Sequence, residues 1–163
     1  MTRIEIKVNG ENHTIEVEPR RLLADVLRQD LGLSGVHIGC AHGACGACTV
    51  WIDEVPQLSC LTLAVQCDGK TITTVESLGG HQAEHPLQKA FRAEHGLQCG
   101  FCTPGFLMAM KPFVDQAIEQ ERIPEDAEIR SAMGGNICRC TGYQGIVAAV
   151  RRAVRDSLYG GPS

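Results

Sequence analysis

Apolar and polar residues alternate through RIEIKV (3–8) and HTIEVE (13–18), the period of half-buried strands, and the NGEN between them reads as a turn. RRLLADVLRQDLGL changes to helical spacing: Leu22, Leu23, Val26 and Leu27 share a face, and Gly32 is a natural stop. CTVWI (48–52) and KTITTV (70–75) predict further strands, while PQLSCLTLAVQ (56–66) reads as a short helix or an irregular segment. The second half is helical. AEHPLQKAFRAEH (83–95) carries a face through Leu87, Ala90, Phe91 and His95. TPGFLMAMKPFVDQAIEQ (103–120) opens with Thr103 as N-cap and Pro104 at the first helical position, and Pro112 predicts a kink. EDAEIRSAM (125–133) is a short helix. GYQGIVAAVRRAVRDSLY (142–159) places Ile146, Val147, Val150, Val154 and Leu158 together, leaving Arg151, Arg152 and Arg155 as a solvated face.

Strands wrapped around one main helix, followed by four helices, make an α+β chain of two domains. The first is expected to be a β-grasp, the ubiquitin-like arrangement. The period changes in the polar ESLGGHQAE, so a linker is expected over residues 76–84, dividing the chain into domains 1–78 and 79–163.

Composition narrows the function classes. A net charge of −4 offers no basic stripe for nucleic acid. No apolar run is long enough to span a bilayer, which argues against membrane insertion. MTRIEIKVNG alternates like a strand and has no apolar signal-peptide core, so a cytoplasmic protein is expected. Nine cysteines cannot all pair within one chain, and in a reducing compartment clustered cysteines more often bind metal. With only 4% aromatics each core is modest, so bound metal is expected to supply part of the folding free energy.

The cysteines sort by half. GCAHGACGAC holds Cys40, Cys45 and Cys48, and Cys60 follows beyond a strand: the C-x4-C-x2-C…C spacing of plant-type [2Fe–2S] sites. Two irons need four thiolates from different directions. A tight loop delivers three and curls inward amides around the negative sulfur, a curl that Gly39, Gly43 and Gly46 are expected to permit. His42 gives C-x-H, half of a Rieske pattern, but CGAC lacks the other half, so His42 reads as a loop residue. In the second half Cys99 and Cys102 precede one helix, and Cys138 and Cys140 precede another. Two helix N-termini would then favour negative charge at one point. Taken alone this C-x2-C…C-x-C set suits iron–sulfur or zinc. Cys67 reads as a small buried hydrophobe, and the remaining histidines (His13, His37, His81, His85, His95) lack a metal-binding pattern.

GCAHGACGACTV, QCGFCTPG and GNICRCTGYQG, in this order, resemble the small iron–sulfur subunit of the xanthine oxidase family of molybdenum hydroxylases. The resemblance runs from about Arg3 to Val154. It implies a ferredoxin-like domain and a four-helix domain, each with one [2Fe–2S] cluster, on Cys40, Cys45, Cys48 and Cys60 and on Cys99, Cys102, Cys138 and Cys140. It also implies an electron-transfer subunit, not catalytic alone, of a cytoplasmic heterotrimer. Electrons would come from a molybdopterin centre (molybdopterin cytosine dinucleotide) in a large subunit and go to FAD in a medium subunit. Gln98 and Cys140 would lie against the pterin. The position of Ala41 is often acidic in such proteins. The absence of a G-x-G-x-x-G fingerprint agrees with a subunit that binds no dinucleotide itself. Competing readings are a free-standing two-cluster carrier and a zinc-stabilised interaction module.

Overall fold

The computed structural model describes residues 1–79 and 84–160. Residues 80–83 and 161–163 lie outside it, and with them part of the expected linker, the first residue of the helix expected at 83–95, and His81. The strand half is a five-stranded sheet of β1 (Thr2–Val8), β2 (Glu11–Val17), β3 (Thr49–Ile52), β4 (Val55–Leu58) and β5 (Thr71–Thr73), in the order β2-β1-β5-β3-β4. Only β1 and β5 run parallel; the other neighbouring pairs are antiparallel. The hairpin between β1 and β2 turns at Asn9 and Gly10, both at positive φ, as a two-residue loop matching the strand twist requires.

The β3–β4 hairpin was not expected, and 56–66 is neither a helix nor wholly irregular. Its turn is Asp53-Glu54, both at positive φ without a glycine. Asp53 compensates by accepting from the Thr71 amide and the Lys70 ammonium. β4 is an edge strand whose residues are mostly exposed, so it carries no apolar alternation to read. Beyond it, two short 3-10 turns (Ser59–Leu61 and Ala64–Cys67) carry Cys60 and Cys67 inward.

Ile4, Ile6, Val8, Val17, Val50, Ile52 and Ile72 from the sheet close on Leu23, Ala24, Val26 and Leu27. These four lie on α1 (Leu23–Asp25), which continues as a π-helical segment, Val26–Asp30. Leu22 is not on the helix: it is extended and bridges to Leu63. Cys67 is fully buried in this core.

The helical half comprises α2 (Pro86–Ala93), α3 (Thr103–Glu119), α4 (Asp126–Ala132) and α5 (Gln144–Tyr159). Its core joins Leu87 and Phe91, Phe106, Met108 and Met110, Ile129, and Ile146, Val150 and Val154, with Leu158 packed at its edge. Val75 and Leu78 also pack here. Helix α2 ends before His95, which is exposed with φ +52° and so leaves the apolar face assigned to it. Arg151 and Arg155 lie on an exposed face, as expected, while Arg152 is half-buried, and ion pairs brace the face. Arg151 pairs with Asp126, and Arg152 with Glu94 and Asp156, tying α5 to α4 and α2.

Pro112 does not break α3. Lacking an N–H, it leaves the carbonyl of Met108, four residues earlier, without its helical donor. The Trp51 indole of β3 fills the gap, donating to Met108 O at 2.8 Å, and Lys111 Nζ sits 5.1 Å from the centre of the indole. Trp51→Phe keeps an aromatic ring but orphans that carbonyl. It is expected to destabilise the chain by about 2 kcal/mol, seen as a lower denaturation midpoint by circular dichroism.

His85 caps α2: its Nδ1 accepts from the Leu87 amide at 3.2 Å, so the proton sits on Nε2. Burial, helped by the Lys111 charge and opposed by Asp115, holds this imidazole below its usual range. The unfolded chain therefore binds the proton first. The cap's contribution, about 1 kcal/mol, is whole above the usual histidine value near ~6.5 and is lost as pH falls from there through the folded value. His85→Asn keeps a cap without the titration and is expected to flatten that acid slope in denaturation curves.

Candidate metal centres

Residues 39–48 curl into a loop around Cys40. Ala41, Gly43 and Gly46 take positive φ, whereas Gly39 does not. Gly39 instead serves close approach, since a Cβ there would lie 3.1 Å from Cys45 Sγ. Cys40 Sγ accepts from the Ala44 amide at 3.3 Å. The His42 amide first, then those of Cys45 and Ala44, lower the Cys40 thiol to about 6, against the partial opposition of desolvation. The neighbouring Cys45 thiol lowers it further. His42 turns away on an exposed bend, its Nδ1 2.7 Å from the Cys40 carbonyl.

Cys60 arrives from beyond β4, buried beside Cys48. Ser59 locks this approach: its hydroxyl and amide both donate to the Cys48 carbonyl, at 2.7 and 3.3 Å. Burial, then the neighbouring Cys48 thiol, push Cys60 up to about 11, while the Gly43 amide pulls the other way.

In the helical half Cys102, not Thr103, is the N-cap of α3, and Thr103 and Pro104 form its first turn. Cys102 lies against Cys138, and burial and that thiol raise it to about 12. Burial also works to raise Cys138, but bonds from the Thr141 hydroxyl and from the Thr141 and Cys140 amides outweigh it, and the net direction is down. Cys138 Sγ stands 3.1 Å from Thr141 Oγ1, and the Cys138 amide donates to the Tyr143 hydroxyl at 3.1 Å. Tyr143 holds φ +68° as the N-cap of α5, which begins at Gln144, four residues past Cys140 rather than directly after it. Cys99 and Cys140 are exposed, with sulfurs 3.5 Å apart. Gln98 is exposed beside them.

Thus the Cys99 and Cys140 sulfurs meet at 3.5 Å, and Cys40 and Cys45, Cys48 and Cys60, and Cys102 and Cys138 are neighbouring thiols. All nine cysteines are free of disulfides. Among the described residues no three Cys, His, Asp or Glu side chains converge as a single ion requires. A mononuclear zinc site needs four donors around one point. A two-iron group takes two thiolates per iron, and paired sulfurs within inward amides fit it. The buried Thr103 hydroxyl, next to Cys102, has no protein acceptor, which suits a donor facing added sulfur.

Residues invisible to sequence pattern join the halves here. His37 Nδ1 lies 2.6 Å from the Phe101 carbonyl, with the rings stacked at 4.7 Å. Asn136 Nδ2 donates to Gly46 O at 3.0 Å, and the Ile137 amide to Cys45 O at 3.0 Å.

The comparisons agree with this geometry. Residues 7–89 match the family described as 2Fe-2S iron-sulfur cluster binding domain, and residues 74–151 the [2Fe-2S] binding domain. The chain is 55% identical to the 6-hydroxypseudooxynicotine dehydrogenase complex subunit beta of Paenarthrobacter nicotinovorans, over 90% of each. It is 49% identical to the caffeine dehydrogenase subunit gamma of a Pseudomonas species, over 91% of this chain and 88% of that one. Its fold superposes on a chain of quinoline 2-oxidoreductase from Pseudomonas putida 86 with a TM-score of 0.88 and 44% identity, covering 96% and 95% of the two chains. With two [2Fe–2S]-binding domains on one α+β chain, the protein belongs to the small iron–sulfur subunits of the molybdenum hydroxylases, the electron-transfer subunits of these oxidoreductase complexes.

Proposed function

We propose that Cys40, Cys45, Cys48 and Cys60 hold one [2Fe–2S] cluster, and Cys99, Cys102, Cys138 and Cys140 the other. The observation that carries this is the gathering of four neighbouring thiols in each half, with the Cys99 and Cys140 sulfurs 3.5 Å apart. Bound there, the clusters supply one-electron carriage and no substrate chemistry. The chain's residues supply the rest: thiolates, inward amides that favour their charge, and buried walls around Cys48, Cys60 and Cys138.

The helical quartet faces a large molybdopterin-binding subunit, with molybdopterin cytosine dinucleotide as the pterin, and the strand-half quartet faces a medium FAD-binding subunit. The first assignment draws on the exposed Cys99–Cys140 pair and on Leu97, Phe101 and Ile137, apolar side chains 39%, 47% and 52% exposed around it. Exposed apolar residues grouped at one end suit a docked partner. Gln98 and Cys140 meet the pterin, the amide of Gln98 both donating and accepting. We place the domain division between residues 78 and 79, and the protein in the cytoplasm, where nine unpaired thiols persist. Among the described residues no helix is long and apolar enough to cross a membrane.

Purification from the native cell tests this reading. The chain is expected to arrive with two larger subunits and about four irons per copy, and its reduced form to give two distinct paramagnetic signals. A colourless chain carrying zinc, or one arriving alone with both clusters, would overturn it.

A further inference from the structure

We propose that the hydrogen bond from the Ile137 amide to the Cys45 carbonyl is the electronic bridge between the two halves, and that Asn136 is the residue that positions it. The inference rests on the ligand assignment just given. Ile137 directly precedes Cys138, and its N–H donates to the carbonyl of Cys45 at 3.0 Å. From the Cys45 sulfur the path follows that residue's own backbone, crosses one hydrogen bond, and reaches Cys138 through one residue. A single non-covalent step thus separates two proposed ligands, one from each quartet.

The surroundings hold that step short. Gly46 O, one peptide further on, accepts from Asn136 Nδ2 at 3.0 Å and from the Thr49 hydroxyl and amide at 2.7 and 3.2 Å. A Cβ at Gly46 would lie 2.4 Å from both Asn136 Nδ2 and Gly135 O, so the two backbones meet with no room for a side chain. Asn136 is buried, and its amide binds one half while its backbone leads into the bridge of the other.

A second contact crosses the halves, from His37 Nδ1 to Phe101 O at 2.6 Å. Phe101 adjoins Cys102, but His37 is three residues from Cys40, and Phe101 is exposed. That route is longer and its ring is open to water. With clusters held by the two quartets, the Ile137 bridge would carry one electron from the helical half to the strand half, one centre being oxidised as the other is reduced. No bond breaks, and the bridging proton stays on Ile137.

The test uses the assembled complex. Ile137→Pro removes the N–H, Ile137→Ala keeps it while trimming a side chain of the docking face and is read only on the splitting and rate in complexes that assemble, and Asn136→Ala removes the clamp. Two readings are taken: the magnetic splitting between the two fully reduced centres, and the rate at which an electron equilibrates between them in rapid mixing. Ile137→Pro is expected to keep both signals, narrow the splitting and slow equilibration; Asn136→Ala does the same to a smaller degree, and Ile137→Ala matches the unmodified complex. Wild-type splitting and rate in Ile137→Pro, or the same loss in Ile137→Ala, would overturn the bridge. Where Ile137→Pro does not assemble, Asn136→Ala decides, and an unchanged splitting and rate there overturns it. If the unmodified complex lacks two signals, the ligand assignment has failed rather than the bridge.

Discussion

A chain carrying Cys102→Ser is expected to lose the paramagnetic signal of its helical half and keep that of the Cys40 loop. Cys102 caps α3 and lies against Cys138, so no other thiol stands ready to replace it. Without metal its thiol is pushed up to about 12 by burial and by its neighbour. Binding as thiolate therefore needs the compensation that iron gives, and a serine hydroxyl, a poorer and harder donor, gets less of it. Turnover of the assembled enzyme is expected to fall about a hundredfold or more, since even outer-sphere partners of metal ligands are worth 10–100-fold. Cys67→Ser is the control: that sulfur is buried in the sheet core against the Leu63 carbonyl and belongs to neither proposed quartet, and the variant keeps both signals at some cost in stability. Two intact signals in Cys102→Ser would remove Cys102 from the ligand set.

The second large effect is expected from Gly105→Ala, although alanine is the better helix former. Gly105 lies in the first turn of α3, and a Cβ there would stand 2.3 Å from Gly46 O and 2.8 Å from Ala47 Cα. Both obstacles are backbone, so no rotamer change relieves them. Helix or loop must shift, at a cost of about 3 kcal/mol. The displaced loop is the one between Cys45 and Cys48. A change in the helical half is thus expected to alter the spectrum of the other half's centre as well as lower the unfolding midpoint. Gly135→Ala, whose Cβ meets open space, is expected to do neither. A Gly105→Ala protein with native spectrum and midpoint would show that the contact is looser than described.

Sequence carried most of this architecture because two signals are local. Hydrophobic period separates β1 and β2 from α2 to α5, and cysteine spacing sorts the thiols by half. What it missed depends on neighbours distant in the chain. β4 exists because β3 offers an unpaired edge, not because its own residues alternate. The left-handed backbone assigned to Gly39 falls on Ala41, where only the closed loop demands it. Cys102 displaced Thr103 as cap because the chain must bring that sulfur to Cys138. Asn136, His37 and Phe101 act across more than sixty positions, and nothing in their flanking residues announces it.

The indole of Trp51 has a practical implication for anyone wishing to shuffle parts between relatives. A helical half transplanted onto a different strand half would keep Pro112 but inherit whatever stands at the tryptophan's place. Unless an N–H reaches Met108 there, the graft begins with a buried acceptor unmet. Positions 51 and 112 should therefore travel together, and a chimaera that exchanges one without the other is the one to expect in inclusion bodies.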